Sequence, residues 1–170
     1  MSSITVETAT PEVIDVIDRW HRFMRDDRPD ELDDLLDDEV VLYSPVVFTP
    51  QRGKPIVAKY LSAAKATFAA IGFDADRAAS FARSGTRSAH IGPSFRYVKH
   101  VVSGDNAVLE FETEMSGKYV NGVDIIRANR AAKIVEFRVM VRPLQALHVV
   151  HELMGAELVR IEAAKGDAPT

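Results

Sequence analysis

The sequence predicts an α+β domain in which a cone-shaped, curved antiparallel sheet wraps around three N-terminal helices and is followed by a C-terminal helix. Two observations carry this prediction. Apolar residues recur at helical spacing before residue 70, whereas residues 95–143 form four segments rich in β-forming residues and separated by turns. Helices and antiparallel strands that occupy separate parts of a chain are typical of the α+β class.

The three N-terminal helices are predicted from their start signals and apolar stripes. The first begins at Thr10-Pro11-Glu12, where a hydroxyl side chain caps the helix and proline takes its first position. The second, short helix begins at Pro29, and the third begins at Pro55. The apolar stripe of the first helix contains Val13, Val16, Ile17, Trp20, Phe23 and Met24, and that of the second contains Leu32, Leu35 and Leu36.

The strands are predicted from β-branched and aromatic residues that lie between turn residues. One short strand spans 40–43, and the four strands of the antiparallel meander span 95–103, 107–115, 119–128 and 133–143. A final helix follows, with an apolar side formed by Leu144, Leu147, His151, Met154, Leu158 and Ile161.

One domain is expected for a chain of 170 residues. We assign residues 1–10 to an N-terminal lead-in, 11–162 to the domain and 163–170 to a flexible tail. Residues 72–93 are rich in Ala, Arg, Ser and Gly and have no clear periodicity, so we expect an insertion there.

Composition and charge exclude several classes of protein. The net charge of −4 disfavours nucleic-acid binding, which usually requires a basic surface. The absence of cysteine excludes disulfides, thiol nucleophiles and thiolate metal sites. No apolar run approaches the length of a membrane span, and no signal peptide is visible, so a cytoplasmic protein is the default expectation.

Asp124 is the most informative residue of the sequence. It lies in the middle of the third meander strand and shares a strand face with Val120, Ile126 and Ala128, because side chains two residues apart point the same way. A carboxylate on an apolar face is costly unless it is paired, hydrogen-bonded or protonated. The structural alternative is an ion pair with a nearby arginine: Arg127, Arg138 or Arg142.

Together with the order of elements, four sequence strings resemble the nuclear transport factor 2-like superfamily, which includes ketosteroid isomerases, polyketide cyclases and limonene epoxide hydrolases. The strings are LDDLLDDEVVLYSP (32–45), RGKPI (52–56), GVDIIR (122–127) and KIVEFR (133–138). The resemblance covers residues 11–155 without the insertion. It implies a curved sheet that encloses an apolar cavity for a small molecule.

The ketosteroid isomerases align with the first helix and the first strand of this chain without a gap. Their helix-1 oxyanion donor corresponds to Trp20, their general base to Ser44 and their protonated aspartate to Asp124. Only Asp124 keeps the residue type, and serine is not a base near neutral pH without an activating partner. Steroid isomerisation by that mechanism is therefore not expected. The arginine between two aspartates that epoxide hydrolases need is also not found.

The polyketide cyclases resemble this chain best, since they need one acid in an apolar pocket. The resemblance therefore implies a hydrophobic carbonyl substrate, with Asp124 as general acid/base in an isomerase- or lyase-type reaction. The alternatives are a non-catalytic ligand-binding or accessory protein with the same cavity, and a protein-interaction module. No cofactor is expected.

Six further residues are candidates for contact with a ligand, although core packing or a turn explains each of them as well. They are Trp20, Tyr43, Ser44, Tyr60, His100 and His151. His148 and His151 are three residues apart, but no third ligand accompanies them, so no metal site is expected. Val123 and Ile125 make the other face of the sheet apolar, which favours a homodimer through that face.

Overall fold

The computed structural model describes residues 7–26, 29–69 and 95–166. The predicted insertion at 72–93 and residues 167–170 of the predicted tail lie outside these ranges, whereas residues 163–166 belong to the last helix. In the described part of the chain the helices are α1 (Pro11–Arg25), α2 (Pro29–Leu35), α3 (Lys54–Ala69) and α4 (Leu144–Gly166). The strands are β1 (Leu36–Tyr43), β2 (Gln51–Arg52), β3 (Arg96–Ser103), β4 (Asn106–Met115), β5 (Lys118–Ala128) and β6 (Ile134–Arg142).

The strands form one open, mixed sheet in the order β2-β1-β6-β5-β4-β3. Strands β3 to β6 are the predicted antiparallel meander, and the α+β class is confirmed. The sequence did not predict that β1 joins this meander by pairing in parallel with β6. This pairing draws Leu36, predicted on α2, into β1 opposite Ile134, and an irregular register follows before Val41.

The helices cover one face of this sheet and enclose the core with it. The predicted stripe of α1 is buried, and its first turn is capped as expected, because the Val13 N–H donates to Thr10 Oγ1 over 3.3 Å. Helix α1 contacts β4 and β5, α4 contacts β4 to β6, and α3 packs on α4 and β1. None of the described helices combines the length and the hydropathy that crossing a membrane requires.

At Gly122, β5 passes close to its neighbours. A Cβ at this position would lie 2.3 Å from Phe111 Cζ and 2.6 Å from the Met140 carbonyl oxygen. The Phe111 ring therefore occupies space that a side chain at position 122 would need. Without this glycine, the ring would shift into the core.

We expect Gly122→Ala to lower the free energy of unfolding by about 3 kcal/mol, because it overpacks the core against backbone. Gly155→Ala is the matched control: nothing lies within 4 Å of its added Cβ, and alanine in a helix is favoured over glycine by about 1 kcal/mol. Urea unfolding measures both effects. Equal stability of the two variants would contradict the close approach at Gly122.

Candidate functional site

An apolar cavity lies between the sheet, α1, α3 and α4. Its volume is about 60 Å³, measured as the space open to the centres of water molecules. This is room for several waters, so the cavity is more than a packing defect. The polar side chains on its wall are Trp20, Ser44, Tyr60 and Asp124. The rest of the wall consists of Met24, Leu42, Pro45, Val46, Leu61, Ala64, Phe68, Phe95, Phe111, Phe137, Val139, Val141, Val150 and Met154.

Asp124 is placed on this wall by the alternation of β5. Val120, Gly122, Asp124 and Ile126 are all buried on the core-facing side of the strand. Only 5% of the Asp124 surface is exposed. Among the described residues it forms no ion pair: Arg138 pairs with Glu136, and the Arg142 Nε–H donates to Asn121. The predicted salt-bridged alternative is therefore not what the structure contains.

Asp124 instead ends a buried chain of hydrogen bonds. The Trp20 Nε1–H donates to Tyr97 Oη over 2.7 Å, and the Tyr97 O–H donates to Asp124 Oδ2 over 2.6 Å. Burial raises the pKa of Asp124 to about 7, although the hydrogen bond from Tyr97 opposes this rise. Burial and the neighbouring Asp124 raise the pKa of Tyr97 well above its ordinary value. Near neutral pH the cavity wall thus carries a carboxyl group poised between its acid and carboxylate forms.

The other predicted residues on the cavity wall have simpler environments. Ser44 begins the loop after β1, and its Oγ accepts a hydrogen bond from the Val46 N–H over 3.3 Å, as in a turn. Tyr60 is half-buried on α3. The indole of Trp20 lines the cavity, but its N–H already donates a hydrogen bond to Tyr97 Oη. Of these residues, only Asp124 is both acidic and enclosed.

Three predicted ligand contacts lie away from the cavity. Tyr43 faces the other side of the sheet, where the Arg138 guanidinium lies 4.2 Å from its ring centroid. His151 is exposed, because the buried face of α4 runs through Val150 and Met154 and not through His151. His100 lies beside His21, with 5.0 Å between the ring centroids.

Tyr97 is the site residue that the sequence analysis missed. A β-bulge at Val98 breaks the alternation of β3, so that Tyr97 pairs with Phe111 and His100 pairs with Leu109. Both partners on β4 are buried, so Tyr97 and His100 face the same side although they are three residues apart. The only available signal was the spacing of Tyr97 two residues after Phe95, which predicts a shared face.

No group of three or more potential metal ligands occurs among the described residues. His148 and His151 are both exposed on α4. The described cavity wall contains one carboxyl group, one hydroxyl and two aromatic polar groups. Such a wall can bind a largely apolar molecule and exchange a proton with it at one point.

No family model matches the chain, and no curated protein matches it. Solved structures do. The chain is similar to a steroid delta-isomerase from Pseudomonas aeruginosa, with 25% identity and a TM-score of 0.69 over 95% of this chain and 99% of that chain. It is also similar to a protein with a cystatin-like fold from Silicibacter pomeroyi, with 22% identity and a TM-score of 0.63 over 83% of each chain.

A third similar structure is a nuclear transport factor 2-like protein from Mesorhizobium loti, with 19% identity and a TM-score of 0.54 over 82% of this chain and all (100%) of that chain. The likenesses to the second and third structures concern the fold alone. They agree with the order of helices and strands described above. The chain therefore has a nuclear transport factor 2-like fold, as its sequence strings indicate.

Proposed function

We propose that the protein is an enzyme of the isomerase or cyclase type that acts on a small hydrophobic carbonyl compound, with Asp124 as its general acid/base. The observation that carries this proposal is a carboxyl group with a pKa of about 7 on the wall of an apolar cavity. General acids and bases work best when their pKa lies near the working pH. Perturbed carboxyl groups in clefts are therefore candidates for catalysis.

A single carboxyl group is sufficient for proton transfer in both directions. In its acid form, Asp124 gives its proton to the carbonyl oxygen of the substrate, which makes the proton on the adjacent carbon more acidic. The carboxylate formed in this step then removes that carbon-bound proton, which leaves an enol and regenerates the acid. For an isomerisation, Asp124 then protonates another carbon, and its carboxylate takes the proton from the enol oxygen to restore the carbonyl. For a ring closure, the enol carbon attacks a second carbonyl, whose oxygen takes the proton of Asp124, and the carboxylate recovers the proton of the enol oxygen.

The steroid isomerase mechanism with three groups has less support here. Ser44 stands where that mechanism has its base, and its Oγ is held in a turn by the Val46 N–H. Trp20 stands where the mechanism has its helix-1 oxyanion donor, but its N–H donates to Tyr97 Oη. Since neither position has the residue type that the mechanism needs, a reaction that needs only one acid fits the cavity better.

The experiment is a screen of purified protein in D₂O with a panel of ketones, from small cyclic ketones to steroid ketones. Mass spectrometry detects both product formation and deuterium at the carbon beside the carbonyl. Enolisation by Asp124 predicts deuterium incorporation well above the buffer rate for at least one compound. Binding of panel members without exchange or product would contradict catalysis.

Binding without exchange or product is the result expected for the second candidate function, a non-catalytic ligand-binding protein. The observation that favours it is that Asp124 is the only carboxyl or imidazole group on the described cavity wall. A binding protein needs one hydrogen-bonding group to orient an apolar ligand and no proton cycle. Native mass spectrometry of the purified protein would reveal a retained ligand.

We further propose that the protein forms a homodimer through the outer face of the sheet. The centre of this face is apolar, where Val123 lies beside Met140 and Ile125 beside Val108. Met140 is 51% exposed. On either side of this centre the net charge differs: β4 carries Glu110 and Glu112, whereas β6 carries Arg138 and Arg142 with one acid, Glu136, which pairs with Arg138.

This charge separation selects one way of packing two copies face to face. A two-fold axis parallel to β5 places the acidic β4 of one copy over the basic β6 of its partner, whereas an axis across the strands places β4 over β4. Opposite charges across an interface favour association, and like charges oppose it. The first arrangement is therefore the one that the surface supports.

Charge reversal tests this geometry. We expect Glu110→Lys and Arg138→Glu each to raise the dimer dissociation constant about tenfold or more, and the double variant to restore dimerisation. Analytical ultracentrifugation measures the constant. Val159→Arg is the control, because this residue is exposed and belongs to α4 rather than to the sheet. Monomeric wild-type protein would contradict the dimer, and a dimer insensitive to the reversals would contradict this arrangement.

A further inference from the structure

Tyr97 contacts Asp124 from outside the cavity. It lies on β3, two strands away from Asp124 on β5, and its ring is buried with 4% exposure. Its hydroxyl reaches Asp124 across β4, and it does not form part of the described cavity wall. A ligand in the cavity therefore meets Asp124 but not Tyr97.

The direction of the hydrogen bonds follows from the chemistry of the three groups. The Trp20 indole nitrogen has only a proton to give, so Tyr97 Oη must accept it. The one proton of the Tyr97 hydroxyl is directed at Asp124 Oδ2. If the neutral acid held its proton on Oδ2, this proton would face the Tyr97 proton. Tyr97 would then have no acceptor among the described residues.

The other carboxyl oxygen of Asp124 is free to carry the proton. Among the described residues, Asp124 Oδ1 takes part in no hydrogen bond, and it is not one of the fully enclosed polar atoms without a partner. Asp124 lines the cavity and its Oδ2 accepts from Tyr97, which leaves Oδ1 as the oxygen that can meet a ligand.

We infer that Tyr97 is a positioning residue that holds Oδ2 as an acceptor and thereby directs the proton of neutral Asp124 through Oδ1 at the ligand. The inference rests on the proposed function in one respect, namely that Asp124 meets the ligand. It narrows the ligand class to uncharged molecules with a hydrogen-bond acceptor, such as ketones or aldehydes. A carboxylate ligand would place a second anion beside Asp124 whenever Asp124 ionises, and an ammonium ligand would favour the carboxylate over the acid.

Infrared difference spectroscopy of protein labelled with ¹³C at the aspartate carboxyl carbon tests the inference without a substrate. The C=O stretch of a protonated aspartate should appear below pH 7 and be absent from Asp124→Asn. In this acid the C=O oxygen is Oδ2, which accepts from Tyr97. In Tyr97→Phe we therefore expect the band to move to higher wavenumber.

Loss of one hydrogen bond to the carboxylate should also raise the titration midpoint by about one pH unit. Tyr60→Phe is the matched control, because it removes a tyrosine hydroxyl on the cavity wall that has no hydrogen bond to Asp124. Neither the band nor the midpoint should move in this variant. An unmoved band in Tyr97→Phe, or no Asp124 band at all below pH 7 in the wild type, overturns the inference.

Tyr97→Phe leaves the Trp20 N–H without its acceptor, which costs about 1–3 kcal/mol of stability. If this variant does not fold, Trp20→Phe with Tyr97→Phe removes both buried polar groups and should give the same band shift. The outcome is independent of turnover. A shifted band together with an inactive wild-type protein would reject the proposed enzyme but keep the role of Tyr97.

Discussion

Replacing Asp124 by Asn is expected to lower the kcat/KM for any ketone found by deuterium exchange by about 10²–10⁴-fold, which is the usual contribution of a general acid or base. The amide oxygen can still accept from Tyr97, and the amide N–H₂ can still donate to a carbonyl oxygen. It cannot transfer a proton. Ligand affinity should therefore change little while turnover is lost, and calorimetry and the exchange assay measure the two separately.

The pH dependence distinguishes the acid form of Asp124 from the carboxylate as the starting species. If the acid begins the reaction, kcat/KM should be constant at low pH and fall as the pH rises through about 7, the pKa of Asp124. A rise through the same midpoint would contradict the acid role. Ser44→Ala is the control, because its hydroxyl also lies on the cavity wall but is held in a turn. It should retain most of the activity.

The second large effect expected for Asp124 concerns stability. Its pKa is about 7 in the folded protein against an ordinary value of 3.8, so the folded state holds this proton more tightly than the unfolded state. A group of this kind contributes stability that is fully present below pH 3.8 and is lost as the pH rises through about 7. At about 1.4 kcal/mol for each pKa unit, the loss is on the order of 4 kcal/mol.

Asp124→Asn removes this pH-dependent loss of stability, because an amide does not titrate. We therefore expect the stability of the variant relative to the wild type to increase by about 3 kcal/mol between pH 5 and pH 8. Urea unfolding followed by the fluorescence of Trp20, the single tryptophan, measures the difference. Asp33→Asn, at an exposed position on α2, should change stability by no more than about 0.5 kcal/mol at either pH. A pH-independent difference for Asp124→Asn would show that Asp124 is ionised in the folded protein.

The sequence predicted the elements whose periodicity is strong. The stripe of α1 contains Trp20 at its centre, and strand alternation places Asp124 on the apolar face of β5, as the structure shows. The sequence predicted the buried face less well where apolar residues do not mark a single side of a helix. Helix α4 is apolar on more than one side, so the predicted face included His151, whereas the structure buries Val150 and Met154.

The contacts of Asp124 came from features that periodicity does not encode. Tyr97 reaches Asp124 because a bulge at Val98 changes which β3 residues face the core. On the neighbouring strand, the Phe111 ring lies close to Gly122, which has no side chain. The parallel pairing of β1 with β6 places Ser44 at the cavity and Tyr43 on the opposite face. Each of these contacts joins residues far apart in the chain, so only packing decides it.

By itself the sequence determined which face of β5 carries the carboxyl group, because side chains alternate along a strand whatever its neighbours are. Only the tertiary structure decided what that carboxyl group meets: a tyrosine behind it, a cavity in front of it and no cation among the described residues beside it. The physical reason is that the pKa of a buried acid depends on desolvation and on a few hydrogen bonds, which are set by groups from other strands and helices.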